Sequence, residues 1–173
     1  MAQGFTQRQG IDYFETYAST AKMQSIRTVL ALAAGLGLSL HSVDISNAYL
    51  NGDIDADVYM RLPDGYDSAK PGQVAKLRKA LYGTKQGARA WQRKMQQVLV
   101  EELKFACIYS DTSIYVYRRD SDFILLPVFV DDGTFASSSP ELACDMNCAF
   151  GHLFQVARSW ANHASSRHGD HSR

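Results

Sequence analysis

Phe123-Ile124-Leu125-Leu126-Pro127-Val128-Phe129-Val130-Asp131-Asp132-Gly133 is the stretch on which the reading of this chain turns. Phe123–Val130 is rich in β-branched and aromatic side chains and has the length of one buried strand. The run stops at two adjacent acids. An apolar neighbourhood disfavours a charged carboxylate, and each acid disfavours ionisation of the other. Two solutions are open. Asp-Asp-Gly after a strand can be a solvated turn. Alternatively a divalent cation neutralises the pair, because hard cations such as Mg²⁺ take carboxylate oxygens and keep positions free for substrate phosphates.

Outward from this run, Ser113–Arg118 is also β-rich and Arg119–Asp122 is polar, which predicts a hairpin. Ala88–Phe105 predicts a long helix with Trp91, Met95, Val98, Leu99 and Leu103 near one stripe. Glu141–Phe154 predicts another. Lys22–Leu40 places Ile26, Val29, Leu30, Ala33 and Ala34 at helical spacing, with Gly35 and Gly37 weakening its end. His41–Leu50 predicts a strand entering the turn Asn51-Gly52-Asp53. Val58–Leu62 predicts a short strand, and Val74–Leu81 is short and basic. Asp44 sits between Val43 and Ile45 on a predicted strand. Alone it is an edge residue or a strand-end turn former. Two strands presenting acids at one sheet end would instead make a two-metal site.

The 173 residues are 46% hydrophobic and 21% charged, as in one globular domain with a core of its own. Lys+Arg and Asp+Glu are both 18, so bulk charge does not indicate a strongly basic nucleic-acid binder, although a local basic patch is allowed. No apolar run reaches the ~18 residues of a membrane span, and the first eight residues lack a signal-peptide core. Cys107, Cys144 and Cys148 do not form a disulfide framework. Cys144, Cys148 and His152 fall on one helix face, which is read as helix packing rather than as a zinc site. From Arg158 the sequence is polar and aperiodic, and His163, His168 and His171 lie within it; a disordered tail over 157–173 is expected.

An ordered series of short motifs runs through the same chain. Gln9-Gly10-Ile11-Asp12-Tyr13-Phe14-Glu15-Thr16-Tyr17 comes first, then Ala21-Lys22-Met23 and Ser25-Ile26-Arg27. Val43-Asp44-Ile45-Ser46-Asn47-Ala48-Tyr49-Leu50-Asn51-Gly52 follows, with Val58-Tyr59-Met60 and Leu62-Pro63-Asp64-Gly65-Tyr66. Next is Lys76-Leu77-Arg78-Lys79-Ala80-Leu81-Tyr82-Gly83-Thr84-Lys85-Gln86 with Arg89 and Trp91, and last Val128-Phe129-Val130-Asp131-Asp132. The series closely resembles the reverse transcriptase domain of copia-type long-terminal-repeat retrotransposon Pol polyproteins, over about residues 3–156.

The resemblance implies an α+β fold over 1–156: a polymerase palm with partial fingers, an antiparallel sheet backed by helices, without the thumb. It implies an RNA-directed DNA polymerase that uses two metals to transfer a nucleotide to a primer 3′-hydroxyl. Asp44, Asp131 and Asp132 would be the catalytic and metal-binding acids, with the Ile45 carbonyl as a further ligand and Mg²⁺ or Mn²⁺ as the cofactor. Tyr49 would lie beneath the sugar and exclude a 2′-hydroxyl. Tyr82, Gly83, Lys85 and Gln86 would belong to the substrate-binding loop, and Gly83 would let backbone approach the nucleotide. Arg89 and Arg93 would contact the nucleic-acid backbone. The implied partners are an RNA template, a DNA primer and dNTPs, with integrase and ribonuclease H in one polyprotein and no membrane. The implied location is intracellular, in a cytoplasmic particle or the nucleus.

The chain also departs from the family pattern. The basic finger strand that grips the triphosphate would lie upstream of Gly4-Phe5-Thr6-Gln7, and the thumb and ribonuclease H domain would lie beyond Phe154. Thr84 stands where the family has Leu, and Gly87-Ala88 replaces Ala-Pro or Ala-Ser, which removes a favourable helix-start residue. Gly133-Thr134-Phe135 replaces an apolar strand and is expected to weaken the strand after the acids. A truncated polymerase domain and a degenerate, non-enzymatic transposon fragment are therefore both open readings.

Overall fold

The computed structural model describes residues 2–63, 65–66, 70, 72–154 and 156–162, the last segment as backbone. Among them are three α-helices: α1 (Met23–Leu36), α2 (Gly87–Gln97) and α3 (Pro140–Leu153). Eight strands accompany them: β1 (Ser39–Ile45), β2 (Tyr59–Arg61), β3 (Val74–Lys76), β4 (Ala106–Ile108), β5 (Asp111–Arg119), β6 (Asp122–Phe129), β7 (Asp132–Ser137) and β8 (Val156–Asn162). The main sheet has the order β4-β5-β6-β7-β1-β8, and its recorded pairings are antiparallel. β2 and β3 pair separately. The fold is α+β.

Alternation along β6 divides the core into two layers. Ile124, Leu126 and Val128 join one cluster with Trp91, Met95 and Leu99 of the α2 region and Leu142, Met146 and Phe150 of α3. Phe123 and Leu125 join the other, with Val29 and Ala33 of α1. The sheet thus lies between α1 on one face and α2 with α3 on the other.

The helices end where local chemistry stops them. α1 closes at Gly37, whose φ of 66° is the left-handed conformation that glycine adopts without a Cβ penalty. The helical periodicity continues to Leu40, but the chain past this cap already belongs to β1. At α3, the Ser139 hydroxyl accepts the Leu142 N–H at 3.3 Å, and Pro140 supplies a pre-set first residue. α2 passes into a π-turn over Val98–Glu102 and stops at Leu103. Its stripe then feeds β4, a strand the sequence pattern does not announce.

Three expectations are corrected. Cys144, Cys148 and His152 are exposed, and α3 packs instead through Leu142, Ala143, Met146 and Phe150. The wider 3.6-residue stripe carries the apolar side chains, and the Cys–Cys–His row falls on the opposite side. β7 runs unbroken to Ser137 despite Gly133: a Cβ there would meet Val43 Cγ1 at 3.1 Å and Leu126 Cδ1 at 3.2 Å. A side chain there would press on both methyls, so the glycine fits this junction without displacing either. Residues 157–162, expected to open a structureless tail, run within β8 beside β1. A strand can be recruited through its backbone hydrogen bonds, which polarity of composition does not preclude. His163, His168 and His171 lie outside the described residues.

Candidate active site

The acids meet through strand register. β1 and β7 are antiparallel partners from Ser39↔Ser137 to Asp44↔Asp132. Directly opposed residues project from the same face, with Cβ atoms roughly 4.5–5.5 Å apart. Asp44 and Asp132 are such a pair. Asp132 also opposes Phe129 of β6, so Val130 and Asp131 form a two-residue turn between β6 and β7. The Ile45 N–H donates to the Asp131 carbonyl at 3.0 Å, which ties that turn to the end of β1. On its other side, the β1–β8 register shifts between Asp44 and Ile45. Irregular pairing of this kind re-aims side chains at sheet ends.

The turn itself is unusual. Val130 has φ 55°, a region costly for a β-branched residue. Its carbonyl accepts the Trp91 indole N–H at 2.8 Å, so α2 holds this peptide in place. Beside it, the Tyr82 hydroxyl donates to Asp131 Oδ2 at 2.6 Å. The Tyr82 ring stacks on Tyr49, with centroids 4.0 Å apart and planes at 7°. Gly87 opens α2 directly under this stack: a Cβ there would lie 2.7 Å from Thr84 Oγ1 and 3.1 Å from Tyr49 Cδ2.

The electrostatics follow from crowding. Burial pushes the Asp132 carboxyl above its usual range, and the charges of Asp44 and Asp131 push the same way. Tyr49 is raised by burial and then by the Asp131 charge. Tyr82 is raised further, by burial first and then by its bond to Asp131. Asp131 Oδ1 is buried and has no hydrogen-bond partner. An orphaned anionic oxygen beside two more carboxylates is an oxygen-only donor set of the kind that hard divalent cations take. Among the described residues, no three such side chains already close on one point as a finished metal site would.

The remaining residues of the predicted site are engaged differently. Tyr82-Gly83 is held by the N-terminal segment: Ala2 N–H donates to the Tyr82 carbonyl at 3.0 Å and Gly4 N–H to the Gly83 carbonyl at 2.8 Å. Gln86 is buried, and its side-chain amide is bonded to Gln7 and to the Asp12 carbonyl. The Lys85 N–H donates to Gln7 Oε1 at 2.7 Å, and Lys85 is exposed. Arg89 pairs with Glu15 and donates to the Tyr17 carbonyl at 3.2 Å. Arg93 pairs with Asp55 at 3.2 Å. The acids, Tyr49 and Tyr82 thus form one group, whereas the side chains of Gln86, Arg89 and Arg93 are bonded to Gln7, Asp12, Glu15, Tyr17 and Asp55.

Two residues have supporting roles that their places in the motif series do not specify. Trp91 belongs to the core stripe and to the motif series with no role at the turn, yet a buried indole N–H needs an acceptor, and that need is the signal that points to the turn. Val130 carries no sequence signal, because left-handed turns usually announce themselves with Gly or Asn.

Comparison with known proteins gives a family. The model described as "Reverse transcriptase (RNA-dependent DNA polymerase)" matches residues 1–158. The chain is 40% identical over 143 residues to the Retrovirus-related Pol polyprotein from transposon RE1 of Arabidopsis thaliana, covering 82% of this chain and 10% of that polyprotein. It is 40% identical over 134 residues to the corresponding polyprotein from transposon TNT 1-94 of Nicotiana tabacum, covering 76% of this chain and 10% of that one. The Transposon Ty1-NL2 Gag-Pol polyprotein of Saccharomyces cerevisiae is 27% identical over 132 residues, covering 70% of this chain and 7% of the polyprotein. The chain thus spans about a tenth or less of the length of these curated relatives. No solved structure matches it.

Proposed function

Because the chain belongs to the reverse transcriptase (RNA-dependent DNA polymerase) family, as part of a copia-type Pol polyprotein, we propose that it forms the palm and part of the fingers of an RNA-directed DNA polymerase. The reaction joins the primer 3′-oxygen to the α-phosphorus of a dNTP and releases pyrophosphate. One observation carries this reading: Asp44 and Asp132 are cross-strand partners, with Asp131 on the β6–β7 turn just before Asp132.

Asp44, Asp131 and Asp132, with the Ile45 carbonyl, would hold Mg²⁺ or Mn²⁺. The bound cation would supply Lewis acidity toward the attacking hydroxyl and the leaving pyrophosphate. The protein's share is placement. The sheet presents the acids at one end, where their mutual repulsion keeps a demand for positive charge. Tyr49, backed by Tyr82 and Gly87, is a fixed wall suited to the face of a deoxyribose. Lys85 is the exposed cation of the neighbouring loop and suits a phosphate. Arg89 and Arg93 reach nucleic acid only by exchanging their present acidic partners; the exposed Arg93–Asp55 pair, worth about 0–1 kcal/mol, permits that exchange, whereas the half-buried Arg89 must also leave the Tyr17 carbonyl. The partners are an RNA template, a DNA primer and dNTPs, within a polyprotein that also carries integrase and ribonuclease H, in a cytoplasmic particle or the nucleus. No helix among the described residues is long and apolar enough to cross a membrane.

Primer extension tests the reading. Purified chain is incubated with an RNA template, a DNA primer, dNTPs and Mg²⁺ or Mn²⁺, beside Asp131→Asn. Extension that disappears in the variant is the expected result. A folded chain that extends nothing under either metal would overturn autonomous activity and leave a fragment without catalysis of its own.

A further inference from the structure

The loop Tyr82-Gly83-Thr84-Lys85-Gln86 accounts for backbone near a nucleotide, but not for a hydroxyl on its aromatic residue. Stacking on Tyr49 needs only a ring, which phenylalanine would supply equally well. The hydroxyl instead donates to Asp131 Oδ2 at 2.6 Å, in the short range of bonds to an ionised oxygen. The other oxygen of that carboxylate, Oδ1, is buried and bonded to nothing. One oxygen is thus fixed by the hydroxyl, and the other is enclosed with its bonding capacity unspent.

The donor is itself immobilised. Its ring lies parallel to Tyr49 at 4.0 Å. Its backbone is held by Ala2, and the following residue, Gly83, is held by Gly4. Gly83 has φ 93°, which turns the chain away directly after the ring. On the far side, the Trp91 indole pins the Val130 carbonyl that precedes Asp131. Asp131 is therefore oriented from two directions, by a side chain on its carboxylate and by a side chain on its turn.

We infer that Tyr82 is a positioning residue that holds the Asp131 carboxylate with Oδ1 free to take a divalent cation, and that its stack on Tyr49 ties that carboxylate to the wall beside the sugar. The inference rests on the proposed reading of Asp44, Asp131 and Asp132 as cation ligands. Hydrogen-bond partners of ligating carboxylates set their orientation, and removing one typically costs about 10–100-fold in metal affinity.

The test is Mn²⁺ binding to the purified chain, followed by electron paramagnetic resonance without primer, template or nucleotide. Wild type, Tyr82→Phe and Asp131→Asn are compared, with circular dichroism on each. Tyr82→Phe keeps the ring and should bind Mn²⁺ at least tenfold more weakly while the thermal midpoint stays near that of wild type. Asp131→Asn should lose the binding. If Tyr82→Phe binds as tightly as wild type while Asp131→Asn does not, the positioning role is wrong and the cation reading stands. If Asp131→Asn binds like wild type, or wild type binds no Mn²⁺, both are wrong. Should Tyr82→Phe not fold, 3-fluorotyrosine in the otherwise wild-type chain gives an independent readout. Mg²⁺ should then move the same ¹⁹F resonance that Asp131→Asn moves; a resonance insensitive to Mg²⁺ overturns the inference.

Discussion

The indole N–H of Trp91 donates to the carbonyl of Val130 at 2.8 Å, joining the middle of α2 to the turn that carries Asp131. One bond thus spans from the helical layer to the acid end of the sheet. It also accounts for how a β-branched residue persists at φ 55°: the surrounding structure over-determines a conformation that the residue alone would avoid.

Replacing Trp91 by Phe keeps an aromatic ring near Phe154, now 5.3 Å from it in an edge contact, but leaves the Val130 carbonyl without its donor. The expected loss is about 1–3 kcal/mol, the range for an abandoned partly buried polar group. Denaturant unfolding measures it. An unchanged midpoint would mean that the bond does not restrain the turn.

Val130→Asn places at the left-handed position a residue that tolerates it. Relief of backbone strain exceeds the loss of one half-buried apolar side chain, so stability should rise by about 1 kcal/mol. A thermal melt decides the sign. A fall would show that Val130 contributes more by packing than it costs by conformation.

Gly87→Ala drives a Cβ toward Thr84 Oγ1, the Leu81 carbonyl and the Tyr49 ring. The Tyr49–Tyr82 stack must shift, and the chain should lose about 1–3 kcal/mol. The near-ultraviolet circular dichroism of the tyrosines should change while the far-ultraviolet signal does not.

Asp111 and Asp132 predict opposite responses to acid. Burial raises Asp111, but hydrogen bonds from Ser25 and from the Lys22 and Ser113 amides, with the Lys22 charge, outweigh it and hold the carboxyl below its ordinary value. Its stabilisation is therefore complete above the unfolded value of about 3.9 and is lost as pH falls through the lower folded value. Asp111→Asn should flatten stability in that acid window and weaken the fold at neutral pH. Asp132 is raised, by burial first and then by Asp44 and Asp131. Its charged form therefore costs stability at neutral pH, and Asp132→Asn should raise the melting temperature at pH 7 while narrowing the gain at pH 4. A melting temperature lowered by Asp132→Asn at pH 7 would contradict the repulsion.

Much of the frame is legible because apolar periodicity reflects burial. The Phe123–Val130 run is β6 with its turn, and the Val29–Ala33 stripe is the packed side of α1. What escapes the sequence depends on partners distant in the chain. Gly133 reads as a weak strand residue until Val43 and Leu126 are placed against it. Residues 157–162 read as tail until β1 offers its edge. The acids are visible as candidates, but only the Asp44↔Asp132 register makes them neighbours. Gln86 shows the reverse: a motif residue whose amide is taken up by Gln7 and Asp12.

The pairing of β1 with β7 has a kinetic consequence. Its partners lie as far apart in sequence as Ser39 and Ser137, a separation of 98 residues. Loop closure over that distance must precede any reward from the contact, so the pairing is slow relative to the local β5–β6 hairpin. During synthesis, β1 waits with an open edge until β7 has left the ribosome. The pairing of Asp44 with Asp132 thus forms late, and the charge of Asp44 does not join the adjacent Asp131 and Asp132 until β7 is in place.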